Sequence, residues 1–274
     1  MNRRQFLIGG AALLTAASPP KVGCQTNGYP LKPGDFPELL RTLDKLNSIG
    51  YTGFECNTRF VEGQFGRAAE ARRQIEKIGV EFIGGHYSMK QAQADTFPQV
   101  AAGLAALGAR SVVMSGSGLS PQGRFEKDAA LKKASELDVM ANICRSKGLR
   151  LAYHNHNPEF ANHNAEIEAL ALLTDPKLVD FLMDAGHGYL GRGDPAEFMT
   201  KHSYRILGCH VKTFKGQQQV PLGQGDFGFE ALADAIKKTG WSGWLIDEEG
   251  GGTRQGNTAA IEADRQYIRR VFGV

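Results

Sequence analysis

FPELLRTLDKLNSIGYTGFECN, residues 36–57, holds a helix, its stop signal and a strand in one stretch. Leu39, Leu40, Leu43 and Leu46 recur at the spacing of one helix face, which predicts a helix over Phe36–Ile49. Gly50 follows at once and accepts the left-handed conformation that ends a helix. A short apolar run, Gly53–Asn57, then reads as a strand. The same order recurs along the chain. Helices predicted over Ala68–Ile78, Phe97–Leu107, Glu126–Lys147 and Phe229–Thr239 are followed by Gly79, Gly108, Gly148 and Gly240. Strands are expected at Val22–Thr26, Gly53–Asn57, Glu81–His86, Ser111–Ser115, Leu149–His154, Val179–Asp184, Ile206–Lys212 and Gly243–Glu248. Helix, glycine, strand is the order of right-handed βαβ units in a parallel sheet. Eight such units in about 250 residues predict an α/β protein closed as a (β/α)8 TIM barrel, one domain over residues 19–274. The competing open sheet would place a glycine-rich dinucleotide loop after its first strand, where this chain reads Gln25-Thr26-Asn27-Gly28.

Composition agrees with a globular enzyme-sized domain. The chain has 274 residues, 42% hydrophobic and 22% charged, enough to bury a core without disulfides. Its first eighteen residues read differently. Arg3 and Arg4 precede a run from Phe6 to Ala17 that is apolar except for Thr15, and small residues close it at Ser18. These are the marks of a signal peptide over residues 1–18. The run is too short for a stable membrane anchor. Asn-Arg-Arg-Gln-Phe-Leu resembles a twin-arginine export signal, which implies a periplasmic location. Loss of that segment removes two arginines and no acid, so 30 basic residues face 29 acidic ones and the net charge falls from +3 to about +1. No Lys/Arg run remains to grip a phosphate backbone, so a nucleic-acid partner is not expected. Cys24, Cys56, Cys144 and Cys209 show no metal-ligand spacing; a Cys24–Cys56 bridge requires their strands to be neighbours.

The ionisable residues gather where such a barrel does its chemistry, at the C-terminal ends of its strands. Read in order, those ends offer Glu55, His86, His154 with His156, Asp184, His210 with Lys212, and Glu248. Taken alone, each is a cap or solvated loop residue as readily as a functional one; Asp184 before Ala185-Gly186 also suits a turn. Taken together, His154, Asp184, His210 and Glu248 end four consecutive strands and predict one divalent metal ion. Their imidazole and carboxylate donors suit Mn, Zn, Co or Fe.

The blocks "VGCQTNGYP", "IGYTGFECN", "YHNHNPEF", "DAGHGYLGRGDP", "HVKTF", "VPLGQGDFGFEAL" and "GWLIDEE" resemble the xylose isomerase-like superfamily over nearly the whole mature chain. That superfamily contains sugar isomerases and epimerases, inosose dehydratase and endonuclease IV. The resemblance implies a metal held by residues from strands five to eight, matching Asp184, His210 and Glu248. Where the epimerases carry a fifth-strand Glu, this chain has His154, with Glu159 as the alternative ligand reaching back from the loop. The "YHNH" form is similar to the dehydratase branch. The resemblance also implies sugar contacts for Glu55, His86, His187 and Lys212. Trp244 reads as core, and the Gly223–Gly225 loop as part of the last crossover.

A metal on a carbonyl and its neighbouring hydroxyl acidifies the adjacent C–H bond. The expected enzyme is therefore an isomerase, epimerase or lyase acting on a small keto-sugar or polyol through an enediolate, with Glu159, His156 or Glu248 moving protons. A non-catalytic carbohydrate-binding barrel and an endonuclease IV-like nuclease are the rival classes. The sequence leaves the oligomeric state open, a homo-oligomer included.

Overall fold

The computed structural model describes residues 18–93, 95–116, 119, 126–248 and 259–274. The expected export segment, Ser18 apart, lies outside the described residues. Eight parallel strands close into a barrel: β1 (Lys21–Gln25), β2 (Gly53–Asn57), β3 (Glu81–Ser88), β4 (Ser111–Ser115), β5 (Arg150–His154), β6 (Val179–Asp184), β7 (Ile206–Val211) and, after a small antiparallel hairpin of β8 (Thr213–Lys215) and β9 (Gln218–Val220), β10 (Trp244–Asp247). β1 pairs with both β2 and β10, which closes the ring. The helices outside it are α1 (Phe36–Ile49), α2 (Ala68–Ile78), α3 (Phe97–Ala106), α4 (Lys127–Ser146), α5 (Asn157–Leu173), α6 (Ala185–Leu190), α7 (Pro195–His202), α8 (Glu230–Thr239) and α9 (Ala259–Phe272).

The local signals explain most of these boundaries. α1 buries Leu39, Leu43 and Leu46 on one face, starts at Asp35, whose carboxylate accepts from Glu38 N, and stops at Gly50 with φ 100°. The other four predicted stop glycines also have positive φ. Inside the barrel, Ile83, Val113, Ala152, Leu182, Trp244 and Ile246 form a packed plug. Trp244 is thus core, as expected from the sequence. Gly53 opposes it, because a Cβ there would lie 2.6 Å from the indole ring.

Three features of the structure go beyond or against the sequence reading. β7 ends at Val211 instead of continuing to Lys212, because the chain then folds back through Gly216, at φ 59°, to pair β8 with β9. α5 carries a break at Ala161–Asn164, where Asn162, His163 and Asn164 are all left-handed. Finally, no disulfide is formed: Cys24 lies in register with Phe54, two positions short of Cys56 on the neighbouring strand. Among the described residues no helix is long and apolar enough to cross a membrane.

Candidate metal centre

Because the strands are parallel, their last residues share one end of the barrel. His154 and Asp184 close β5 and β6, His210 is the penultimate residue of β7, and Glu248 follows β10. Asp184 and His210 are register partners. One donor atom from each of His154, Asp184, His210 and Glu248 lies within 4.8 Å of the other three. The first three side chains are buried, and Glu248 is 17% exposed.

Local features hold each group in place. Asn155 pairs its amide with the backbone of Asp184, accepting from Asp184 N at 2.8 Å and donating to Asp184 O at 3.0 Å. Asp184 Oδ1 caps α6 by accepting from His187 N at 2.7 Å, which leaves Oδ2 for the cluster. A Cβ on Gly186 would come within 2.2 Å of the Lys212 carbonyl, so the turn after Asp184 passes the residue that follows β7 only as glycine. Glu248 is tied to the barrel by its N–H to Val211 O at 3.3 Å, and Gln219 of the β8–β9 hairpin donates to its carbonyl.

His210 occupies the middle. Its Nε2 lies 2.7 Å from Glu55 Oε2, which His86 Nε2 also meets at 2.7 Å. A carboxylate that receives the far N–H of an imidazole fixes the tautomer and turns the other nitrogen toward a metal. That nitrogen, Nδ1, lies 2.7 Å from Glu248 Oε2 and 3.8 Å from Asp184 Oδ2. His154 Nε2 is 4.0 Å from the same Asp184 oxygen. Lys212 Nζ lies 2.7 Å from Asp184 Oδ2 and 2.8 Å from Glu248 Oε2. The residues fit a divalent ion: two carboxylates converge with two imidazoles, and the 3.8 Å and 4.0 Å from Asp184 Oδ2 to His210 Nδ1 and His154 Nε2 are spacings between donors that one ion could share.

The electrostatics set a proton against an ion at His210: against the pull of burial, Glu248 and Glu55 raise its imidazolium well above the usual histidine range, so a metal would take the place of its Nδ1 proton. Burial, reinforced by His210, pushes the His154 imidazolium well below the usual histidine range, so the ring is neutral and one nitrogen lone pair is available. Burial lowers His187 to about 4, partly offset by Asp184. Burial alone would raise the carboxyls of Asp184 and Glu248, but Lys212 leads the groups that hold both well below the carboxylate range. Glu55 is also held low: His210 and His86 outweigh its burial. Lys212 is raised to about 12, burial being overcome by Asp184 and Glu248.

Two sequence expectations need correction. Glu159, the alternative ligand and candidate base, is not brought to the cluster. It is fully buried, its Oε1 accepts from Tyr153 OH at 2.6 Å, and its Oε2 accepts from His156 N at 3.1 Å. Lys133 stands 3.7 Å from Oε1 and 2.6 Å from Glu166. Glu55 is not a sugar contact either: it is 0% exposed and lies beneath the centre, holding two imidazoles. The remaining predicted residues do gather. The ring centroid of His156 is 5.1 Å from that of His154 and 5.0 Å from that of His187, and His86 is 5.5 Å from His154. Five of the seven histidines thus converge.

Residues absent from the sequence reading support this end of the barrel. Asn164 repeats the Asn155 device further along the same connection, accepting from Asp194 N at 2.8 Å and donating to Asp194 O at 3.0 Å. The two asparagines therefore hold both ends of the Asp184–Asp194 segment. Its glycines have matching reasons, since a Cβ at Gly191 would lie 2.2 Å from Asn157 O and one at Gly193 2.5 Å from Phe160 O. The signal available in the sequence was the density of Asn and Gly in "YHNHN" and "GHGYLGRGD".

The sequence profile described as Xylose isomerase-like TIM barrel matches residues 43–271. Inosose dehydratase of Lacticaseibacillus casei is 29% identical over 253 residues, covering 78% of this chain and 85% of the dehydratase. Among solved structures, the IOLI protein with a bound zinc atom superposes with a TM-score of 0.75 at 15% identity, over 92% of this chain and 98% of that one. For 3-keto-D-glucoside 4-epimerase from E. coli the TM-score is 0.70 at 15% identity, over 93% and 100% of the two chains. At such identities the two structures speak to the fold.

Proposed function

We propose, from the premise that this chain belongs to the xylose isomerase-like TIM barrel family, that it is a metal-dependent lyase or epimerase of small keto-sugars. It is an enzyme of the sugar isomerase, epimerase and dehydratase kind. The observation that carries the metal reading is the approach of four donors, from His154, Asp184, His210 and Glu248, to within 4.8 Å of one another. A divalent ion bound there supplies a Lewis acid that makes the C–H bond beside a sugar carbonyl acidic.

The chain's own residues do the rest. Glu55 holds His210, and Asn155 holds Asp184, so two of the donors are set before any ligand arrives. His156, half-buried and outside the donor group, is the proposed base for the acidified proton, its backbone fixed by Glu159. His187, neutral at pH 7, is placed to hold a sugar hydroxyl. With His154 where an epimerase carries a carboxylate, the centre lacks the second carboxylate base of a simple proton exchange. Loss of a β-oxygen substituent after proton removal is therefore favoured over re-addition on the opposite face. The similarity to inosose dehydratase supports the same branch.

The test combines metal content by mass spectrometry with wash-in of deuterium from heavy water into a panel of unphosphorylated keto-sugars. The expected result is about one metal per chain and solvent deuterium in the sugar, at the carbon that loses its oxygen when elimination follows and at the carbon beside the carbonyl when the proton returns. Asp184→Asn should lose both. Metal retention and full exchange in that variant would reject the assignment, and sugar binding without exchange would favour the carbohydrate-binding barrel. We further propose that residues 1–18 direct export to the periplasm; fractionation with N-terminal sequencing of the mature protein tests this, and an intact Met1 in a cytoplasmic pool would exclude it.

A further inference from the structure

The centre already holds a cation of its own. Lys212 Nζ is in contact with both Asp184 Oδ2 and Glu248 Oε2, at 2.7 and 2.8 Å. These are the carboxylate oxygens nearest the two imidazoles, as Asp184 Oδ1 is committed to His187 N. The ammonium is not a loosely tethered surface group. Lys212 is 6% exposed, and its stem is pinned over Gly186, where a Cβ would come within 2.6 Å of Lys212 Cγ. It cannot leave the carboxylates without giving up two buried ion contacts, and an ion entering beside it must share oxygens with a like charge.

We propose that Lys212 is a specificity-determining residue for the metal: it attenuates the carboxylate half of the centre and so biases loading toward ions that rely on imidazole. The inference rests on the metal reading above and goes beyond it to ion selection. Ions that depend on oxygen donors, Mn2+ and Mg2+, must draw most of their binding from Asp184 and Glu248, the two groups Lys212 already neutralises. Zn2+ and Co2+ draw a larger share from His154 and His210, which have no contact with the lysine in either ion-pair or hydrogen-bond geometry. Lys212 therefore costs Mn2+ more than it costs Zn2+.

The test is competitive titration of the metal-free full-length protein with Mn2+ and Zn2+ against a chromophoric chelator, with no substrate present. Lys212→Met should tighten Mn2+ by roughly tenfold or more and Zn2+ by distinctly less, so that the Zn2+/Mn2+ preference narrows. Lys212→Arg, which keeps the charge, should stay close to the wild type. Lys212→Gln serves if the Met variant folds poorly, with circular dichroism confirming a native fold. Equal tightening of both ions, or weaker Mn2+ binding in a folded Lys212→Met protein, overturns the proposal and leaves the metal reading standing. Absence of binding of either ion to wild type and variants alike overturns the metal reading and the proposal together.

Discussion

At the scale of single residues, Glu55 shows how a strand-end carboxylate can hold a proposed ligand in place instead of being one. Its strand-end position invited a substrate role, yet complete burial and two imidazole contacts make it the anchor for His210. Glu55→Gln should therefore lower metal affinity by roughly ten- to a hundredfold while leaving the barrel folded. Isothermal titration of zinc into metal-free protein measures it; unchanged affinity would return Glu55 to a packing role. His187 carries a pH prediction. Burial depresses its folded value from 6.5 to about 4, so the unfolded chain takes up the proton first. The penalty is absent above pH 6.5 and grows as the pH falls toward 4, destabilising the fold on the acid side. Comparison of urea midpoints at pH 7 and pH 5 should show a smaller drop for His187→Gln than for the wild type. The first ligand of the proposed centre was legible only as a choice between His154 and Glu159, because sequence position does not say which side of a loop a carboxylate faces. Tyr153 and the His156 N–H occupy both Glu159 oxygens, which supports His154 in that proposal.

At the scale of elements, the segment after β5 is the informative one. Asn162, His163 and Asn164 take left-handed conformations at φ 52°, 61° and 63°, each costing about 1 kcal/mol for a residue with a Cβ. The run is sustained because it delivers the Asn164 amide to the Asp194 backbone. His163 is exposed and takes no part in that contact. His163→Gly should therefore stabilise the protein by about 1 kcal/mol, seen as a higher Tm in calorimetry. A lower Tm would mean that the strain is not local to that residue. The sequence could not announce this break, since "NPEFANHNAEIEALALL" has no glycine or internal proline beyond its first turn to mark it. Likewise the β8–β9 hairpin, which holds the Glu248 backbone through Gln219, is too short to stand out from the strand before it.

For the whole molecule, the outer layer is sealed by a buried cation. Arg205 is 1% exposed and donates to Val179 O, Ala171 O and Thr174 Oγ1, joining the end of α5 to the start of β6. Arg205→Ala strips the guanidinium from the Val179 and Ala171 carbonyls, while Thr174 Oγ1 keeps its bond to Leu170 O; the loss is about 3 kcal/mol and should lower Tm by about 10 °C. A change within 2–3 °C, by the same measure, would mean that water replaces the guanidinium. By itself the sequence determined the (β/α)8 order, five helix stops, the strands and the list of polar strand ends, because periodicity, glycine stops and β-rich runs act within a dozen residues. Only the closed barrel decided which polar groups touch. His210 meets Glu55 across 155 residues of chain, and Lys212 comes to rest on Asp184 and Glu248, since those contacts depend on strand register and on what each side chain finds opposite it.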